Sequence, residues 1–229
     1  MNAVIVAAGE GKRMRGRLPK PFLSLAGRPL ILHTLGRFAS SSVRKVILVA
    51  AETELSRCRG LVESDPRLRG LEVVFQAGGV RRQDSVRSGL SRLDPDCEAV
   101  VIHDGVRPFI SPELIDICIE IASREGAVVV GVPVKDTIKL VRADLRVAET
   151  PSRNSLWEIQ TPQVFRSEII LEAYNRAQRE ATEATDDATL VERLGREVTV
   201  VAGEATNIKI TLPQDLLLAE AMIREGWIS

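Results

Sequence analysis

Val4-Ile-Val-Ala-Ala-Gly-Glu-Gly-Lys-Arg-Met-Arg-Gly-Arg-Leu-Pro-Lys20 is the stretch from which the rest of the chain can be read. Its apolar run, Val4 to Ala8, predicts a buried strand that breaks into a turn holding Gly9 and Gly11. Five cations follow without one acidic neighbour: Lys12, Arg13, Arg15, Arg17 and Lys20. Glycines after a strand let backbone amides come close to an anion, and the cations supply its counter-charge. A polyphosphate needs both. The competing interpretation is an ordinary strand and turn with solvated arginines.

Two familiar phosphate motifs are excluded. A P-loop needs glycine where Val6 stands and Ser or Thr where Arg13 stands. A dinucleotide fingerprint needs glycine at Met14, and the next strand, Lys45 to Ala51, offers no clear ribose-binding acid. The 31 Lys and Arg balance the 31 Asp and Glu, so the basic stretch is a local concentration of charge and not a nucleic-acid-binding surface. No apolar run approaches the ~20 residues of a membrane helix, and no basic region precedes the first apolar run, so neither a membrane span nor a signal peptide is expected. Cys58, Cys97 and Cys118 lack metal-type spacing and predict reduced thiols in a cytoplasmic protein. Two histidines argue against a histidine-based metal site.

Runs rich in Val and Ile alternate with amphipathic segments over all 229 residues, the pattern of one α/β domain on a mostly parallel sheet. Strands are predicted at Ala3 to Ala7, Lys45 to Ala51, Leu71 to Phe75, Glu98 to Ile102 and Ala127 to Pro133. Helices are predicted at Pro29 to Ala39, at Glu52 to Val62, from the Gln76–Val86 turn to near Leu93, and from the Ser111 cap with Pro112 to Gly126. Strand ends carrying Gly, Arg, Asp or Lys should converge, because the carboxyl edge of such a sheet forms the ligand crevice. Residues 134–155 break the rhythm. Thr137 to Val141 and Leu145 to Ala148 predict a hairpin around Arg142-Ala143-Asp144 that either leans on a second copy of the chain or forms a surface excursion. Further on, Leu156 to Pro162 predicts a strand, Ser167 a helix cap, Thr185-Asp-Asp187 a short capped helix, and Glu197 to Ala202 and Asn207 to Ile210 two strands. Thr211 and Gln214 form a capping box before the last helix.

Three residues carry chemistry only if the fold gathers them. Asp104, at a strand's end beside His103, is either one carboxylate for Mg²⁺ or a turn former. Lys209 points away from Ile208 and Ile210, toward solvent or toward the crevice. Thr185 caps a helix and could also donate to a phosphate.

Taken in order, Ala7 to Met14, Pro19-Lys20, Gly79 with Arg82 to Val86, His103-Asp104, Arg107 to Phe109, Val132 to Thr137, Arg153, Leu156-Trp157, Thr161 to Gln163, Thr185-Asp186 and Asn207 to Lys209 resemble the 2-C-methyl-D-erythritol 4-phosphate cytidylyltransferases. The likeness runs from residue 3 to about 220; Val6 stands in place of the family's usual proline, and Gly105-Val106 in place of two alanines. The resemblance implies a Rossmann-like nucleotidyltransferase fold with a protruding β-hairpin dimerisation arm, about 134–155, on a single domain. It implies that CTP and the polyol phosphate give the cytidine diphosphate product and pyrophosphate by in-line attack on the α-phosphate. Arg13, Lys20 and Lys209 would stabilise the charge, with Asp104 on Mg²⁺. Ala7, Ala8, Gly79 and Ser85 would read cytosine, with Gly9 and Gly11 in the same substrate-binding turn. Thr137 and Arg153 on the arm, with Arg107, Thr161 and Thr185, would bind the sugar phosphate in the site of a homodimer partner. The nearest alternatives are a ribitol 5-phosphate cytidylyltransferase and a non-catalytic nucleotide sensor.

Overall fold

The computed structural model of the chain describes residues 1–9 and 18–228. Seven strands form one twisted sheet in the order β11-β7-β10-β6-β1-β4-β5. They are β1 (Asn2–Val6), β4 (Lys45–Ala50), β5 (Glu72–Ala77), β6 (Ala99–Asp104), β7 (Ala127–Pro133), β10 (Trp157–Arg166) and β11 (Thr199–Ala202). Short strands β2 (Ser24–Leu25) and β3 (Arg28–Pro29) pair beside the sheet, and β8 (Leu140–Val141) pairs with β9 (Val147–Glu149) in the 134–155 arm. The helices are α1 (Leu30–Ala39), α2 (Leu55–Ser64), α3 (Arg82–Leu90), α4 (Pro112–Glu125), α5 (Ser167–Arg179), α6 (Asp187–Glu192) and α7 (Pro213–Arg224).

Side chains alternate across the central strands, so the sheet feeds two cores. Ala3, Ile5, Val46, Leu48 and Val101 pack with α1, α2 and α4 on one face. Val4, Ile47, Val49, Val100 and Ile102 pack with α3, α5 and α6 on the other. Strands buried on both faces read as continuous apolar runs, which is why they stand out in the sequence. Leu25, Leu30 and Phe109 form a third, smaller cluster with Ile210, Ala219 and Met222, which docks α7 beside the carboxyl edge.

All pairings in the sheet are parallel except those of β10, which runs antiparallel to both β6 and β7. Antiparallel neighbours need no helical crossover, so β7 reaches β10 through the arm alone. Val134 N–H bonds Leu156 O at 3.0 Å at its root. That is the physical reason the strand–helix rhythm fails at residue 134. Residues 135–150 are exposed throughout.

Four local expectations are corrected. Asn207 to Ile210 is not a strand; the segment is held instead by Asn207 and by Ile210 N–H to Val106 O at 2.9 Å. Ser167 is the first residue of α5 and not its cap, and its buried hydroxyl has no hydrogen-bond partner among the described residues. The cap of α6 is Asp186, which accepts from Thr189 N–H at 3.0 Å, and not Thr185. At α7 the carboxylate that closes the first turn belongs to Asp215, not Gln214. It accepts from Thr211 Oγ1 at 2.8 Å and Leu212 N at 2.7 Å.

Candidate active site

The loops leaving β1, β5 and β6 meet at the carboxyl edge. Ladder bonds continued past the strands hold them in register: Ala7 N–H to Val49 O (2.7 Å), Gly78 N–H to Ala50 O (2.8 Å) and Gly105 N–H to Val6 O (2.9 Å). They enclose a cleft of about 310 Å³ whose lining includes Ala7, Ala8, Gly9, Lys20, Gly79, Arg82, Ser85, Asp104, Lys209 and Thr211. Eight of the predicted site residues are therefore gathered at one place.

The glycines here are required by close approach. A Cβ on Gly78 would stand 2.4 Å from Ala8 Cβ, and one on Gly79 would stand 2.4 Å from Asp84 Cβ. The Ser85 hydroxyl closes the same turn, accepting from Gly79 N–H at 3.1 Å and donating to Arg81 O at 3.1 Å.

Lys20 and Lys209 come from opposite ends of the chain to the same cleft. Lys20 Nζ donates to Thr211 O at 2.8 Å, two residues beyond Lys209. Lys209 Nζ pairs with Asp104 Oδ2 at 2.7 Å, while Arg82 Nε takes Asp104 Oδ1 at 3.0 Å. Burial alone would raise the Asp104 pKa, but Arg82 and Lys209 outweigh it and hold the carboxylate well below its usual range. Lys209 is aimed by its neighbour: buried Asn207 donates through Nδ2 to Gln160 Oε1 (3.0 Å) and Thr161 O (2.9 Å) on β10.

A hydrogen-bond chain fixes the backbone under Asp104. Burial lowers the His103 pKa to about 4, so the ring is neutral. His103 Nε2–H donates to Arg107 O (3.0 Å), which leaves Nδ1 to accept from the Thr161 hydroxyl (3.1 Å). Thr161 Oγ1 in turn accepts from Asp104 N–H at 3.0 Å. Thr161 thus lies beneath the cleft and not in its lining. Arg107 is half-buried, with Nη1 on Asn207 O at 2.8 Å and a buried Nε without a hydrogen-bond partner among the described residues. Thr185, Thr137 and Arg153 are exposed and outside the cleft lining; Arg153 Nη1 bonds Lys135 O at 3.0 Å at the base of the arm. Arg13 and Gly11 lie outside the described residues.

Sequence reasoning missed Arg82 as a site residue. It opens α3 and reaches both Asp104 and Asp187, a contact over 105 residues that no local spacing announces. Thr211, whose carbonyl holds Lys20, was missed for the same reason. Among the described residues no cluster of three or more His, Cys, Asp or Glu could hold a metal. No helix among them is long and apolar enough to cross a membrane.

A glycine-lined cleft at the carboxyl edge of a mostly parallel sheet, lined by Lys20 and by a Lys209–Asp104 pair, fits a nucleotidyltransferase-type enzyme. Residues 1–225 match the profile of the 2-C-methyl-D-erythritol 4-phosphate cytidylyltransferase family, and the chain belongs to that family. It is 45% identical over 226 residues to the enzyme of that name from Alkaliphilus metalliredigens, covering 98% of this chain and 93% of the relative. Identity to the one from Pelotomaculum thermopropionicum is 47% over 223 residues, covering 97% and 93%. The fold resembles the crystal structure of 4-diphosphocytidyl-2C-methyl-D-erythritol synthase from Anaerococcus prevotii, with TM-score 0.87, 34% identity and coverage of 97% and 95%. It also resembles the 2-C-methyl-D-erythritol 4-phosphate cytidylyltransferase of Thermus thermophilus, with TM-score 0.77, 37% identity and coverage of 97% and 98%.

Proposed function

We propose that this chain transfers the cytidylyl group of CTP to 2-C-methyl-D-erythritol 4-phosphate, releasing pyrophosphate, and that Lys20 and Lys209 stabilise charge at the α-phosphate. The carrying observation is the convergence of these two lysines on one cleft with Asp104. The attacking phosphate oxygen is already ionised, so the chemistry asks for positioning and charge neutralisation and not for a general base. The cleft fits that demand: its only histidine neighbour is neutral and spent on structural hydrogen bonds.

Cytosine is assigned to the Ala7–Ala8 and Gly79–Ser85 wall, where backbone groups are closely packed and glycines leave room. Phosphates are assigned to Gly9, Gly11, Arg13, Lys20 and Lys209. Asp104 suits Mg²⁺ in the mode where one carboxylate shares the ion with substrate phosphates, since its neighbours favour the ionised carboxylate and the residue lines the cleft. Bound there, the ion would neutralise phosphate charge. Arg107, whose buried Nε has no hydrogen-bond partner among the described residues, and Thr161 and Thr185 are assigned to the polyol end.

The arm is assigned to a homodimer, delivering Thr137 and Arg153 to the partner's site. The support is that Leu140, Val141, Leu145 and Val147 are all exposed on a two-stranded hairpin of a kind marginal in water by itself. Three free cysteines suit the reducing cytoplasm. The test is pyrophosphate release from CTP and Mg²⁺ with the methylerythritol phosphate and, separately, with ribitol 5-phosphate. Release with the first alone is expected. Release only with ribitol 5-phosphate would overturn the substrate assignment, and nucleotide binding without release would overturn the enzyme.

A further inference from the structure

Behind Asp104 lies a second carboxylate that the cleft itself does not explain. Arg82 holds Asp104 Oδ1 through Nε at 3.0 Å and Asp187 Oδ2 through Nη2 at 2.9 Å. Asp187 is 1% exposed, and its other oxygen accepts from the Tyr174 hydroxyl at 2.5 Å. Its backbone is pinned as well: Gln163 Oε1 on β10 accepts from Asp187 N–H and Ala188 N–H, each at 3.1 Å. Burial would lower the Arg82 guanidinium, but Asp187 and Asp104 outweigh that and raise it. A buried ion pair contributes little net stability against a well-packed apolar replacement, so its presence beside a reactive cleft asks for another reason.

We infer that Arg82 is a positioning residue for the transfer reaction, holding the Asp104 carboxylate in place, with Asp187 and Tyr174 as the backstop that holds Arg82. Among the described residues the Asp104 carboxylate has two side-chain partners, Arg82 and Lys209, and Lys209 is the lysine that substrate phosphate must recruit. When Lys209 turns to phosphate, Arg82 is the contact that remains. One arginine between two aspartates leaves that group at net −1 once Lys209 is engaged elsewhere, which suits a cation arriving with the nucleotide. Only a forked guanidinium reaches both carboxylates at once; an ammonium is a point charge that satisfies one. Arg82 reaches the chemistry through Asp104, and Tyr174 acts one step further back, outside the cleft lining.

The inference rests on the cytidylyl-transfer assignment and is tested with the full chain, CTP, Mg²⁺ and the methylerythritol phosphate. Arg82→Lys keeps the charge and loses the bridge; Tyr174→Phe keeps the ring and loses the hydroxyl. Tyr174→Phe should lower kcat by about tenfold, within the range seen for groups sharing one network, with the KM for CTP nearly unchanged. Arg82→Lys should lower kcat further, and adding Tyr174→Phe to it should cost almost nothing more. Both variants are assayed well below their melting temperatures, so the milder Tyr174→Phe carries the test if Arg82→Lys folds poorly. Wild-type kcat in Arg82→Lys, wild-type kcat in Tyr174→Phe, or full additivity of the two would overturn the inference. An inactive wild type would remove the functional assignment and this inference together, whereas an active wild type with unchanged variants removes only the role of Arg82.

Discussion

Lys209→Met removes the ammonium while keeping an unbranched side chain, and it separates what Lys209 does for the fold from what it does for the reaction. The Lys209 side chain is 39% exposed, although its partner Asp104 is 9% exposed and is also held by Arg82 at 3.0 Å. A pair with one solvated member is worth about 0.2–1 kcal/mol. For a chain of this size that lowers the melting temperature by about 0.4–4 °C. In the proposed transition state the same ammonium would face charge gathering at the α-phosphate inside a cleft, where losing one preorganised contact costs about 2.7–4 kcal/mol, or 10²–10³ in kcat. Stability and turnover should therefore part company. Pyrophosphate release with saturating CTP and polyol phosphate gives kcat, and a thermal melt of the same preparation gives stability. A kcat within about tenfold of wild type, equivalent to ~1.4 kcal/mol of barrier, would refute the role of Lys209. So would a loss of turnover that tracks a loss of folded protein.

His103 predicts a pH dependence of stability. Its folded pKa is about 4 against 6.5 for the free side chain, because burial disfavours the charged ring. Between those values the unfolded chain binds a proton that the folded chain does not, so stability falls as pH drops, by about 2 kcal/mol at about pH 5 relative to about pH 8. Urea denaturation in EDTA reads this, and His103→Gln should leave only the slope of His33, which burial also lowers; a flat wild-type profile would count against a neutral buried His103. Gly78→Ala places a methyl 2.4 Å from Ala8 Cβ and 2.8 Å from Ser85 Oγ, so the KM for CTP should rise by about tenfold or more, equivalent to ~1.4 kcal/mol. Gly60→Ala, on α2 with nothing within 4 Å, should leave the KM unchanged and stabilise the helix by about 0.5–1 kcal/mol. Mixing inactive Arg153→Ala and Lys20→Ala chains should restore activity through dimers with one site free of both lesions; no recovery after demonstrated subunit exchange would sever the arm from the site.

The strand order of the middle of the sheet was not legible in the sequence, but its strands were. Ala3 to Ile5, Val46 to Ala50 and Ala99 to Ile102 are buried on both faces, and such strands carry continuous apolar runs. The direction of β10 was hidden, because antiparallel pairing with β6 and β7 depends on where the arm returns the chain and not on any residue of Trp157–Arg166. Lys209 was read through a strand's alternation that does not exist; Asn207, buried and bonded to β10, aims it instead. The glycine turn lining the cleft was legible because close backbone approach demands glycine at Gly78 and Gly79. Arg82 was not, since a basic residue opening a helix looks the same whether its partner is water or a carboxylate folded in from β6.

A chain with no net charge can still assemble a cation-rich site, because Lys20 and Lys209 are each given a partner that phosphate can replace. At rest Lys20 bonds the Thr211 carbonyl at 2.8 Å and Lys209 bonds Asp104 at 2.7 Å. These partners hold the ammonium groups in the cleft against their mutual repulsion and keep their side chains ordered before substrate arrives. On the proposed assignment a triphosphate would exchange one set of oxygens for another, so little of its binding free energy would be spent on gathering flexible lysines. The exchange frees the Asp104 carboxylate on the side that Lys209 held, beside the incoming phosphates. Replacing Asp104 by Asn should accordingly loosen Lys209 as well as remove the carboxylate, so its loss of kcat should exceed that of Lys209→Met. A milder defect in Asp104→Asn than in Lys209→Met would show that the lysine holds its place without the aspartate, and that the resting ion pair is not what organises the cleft.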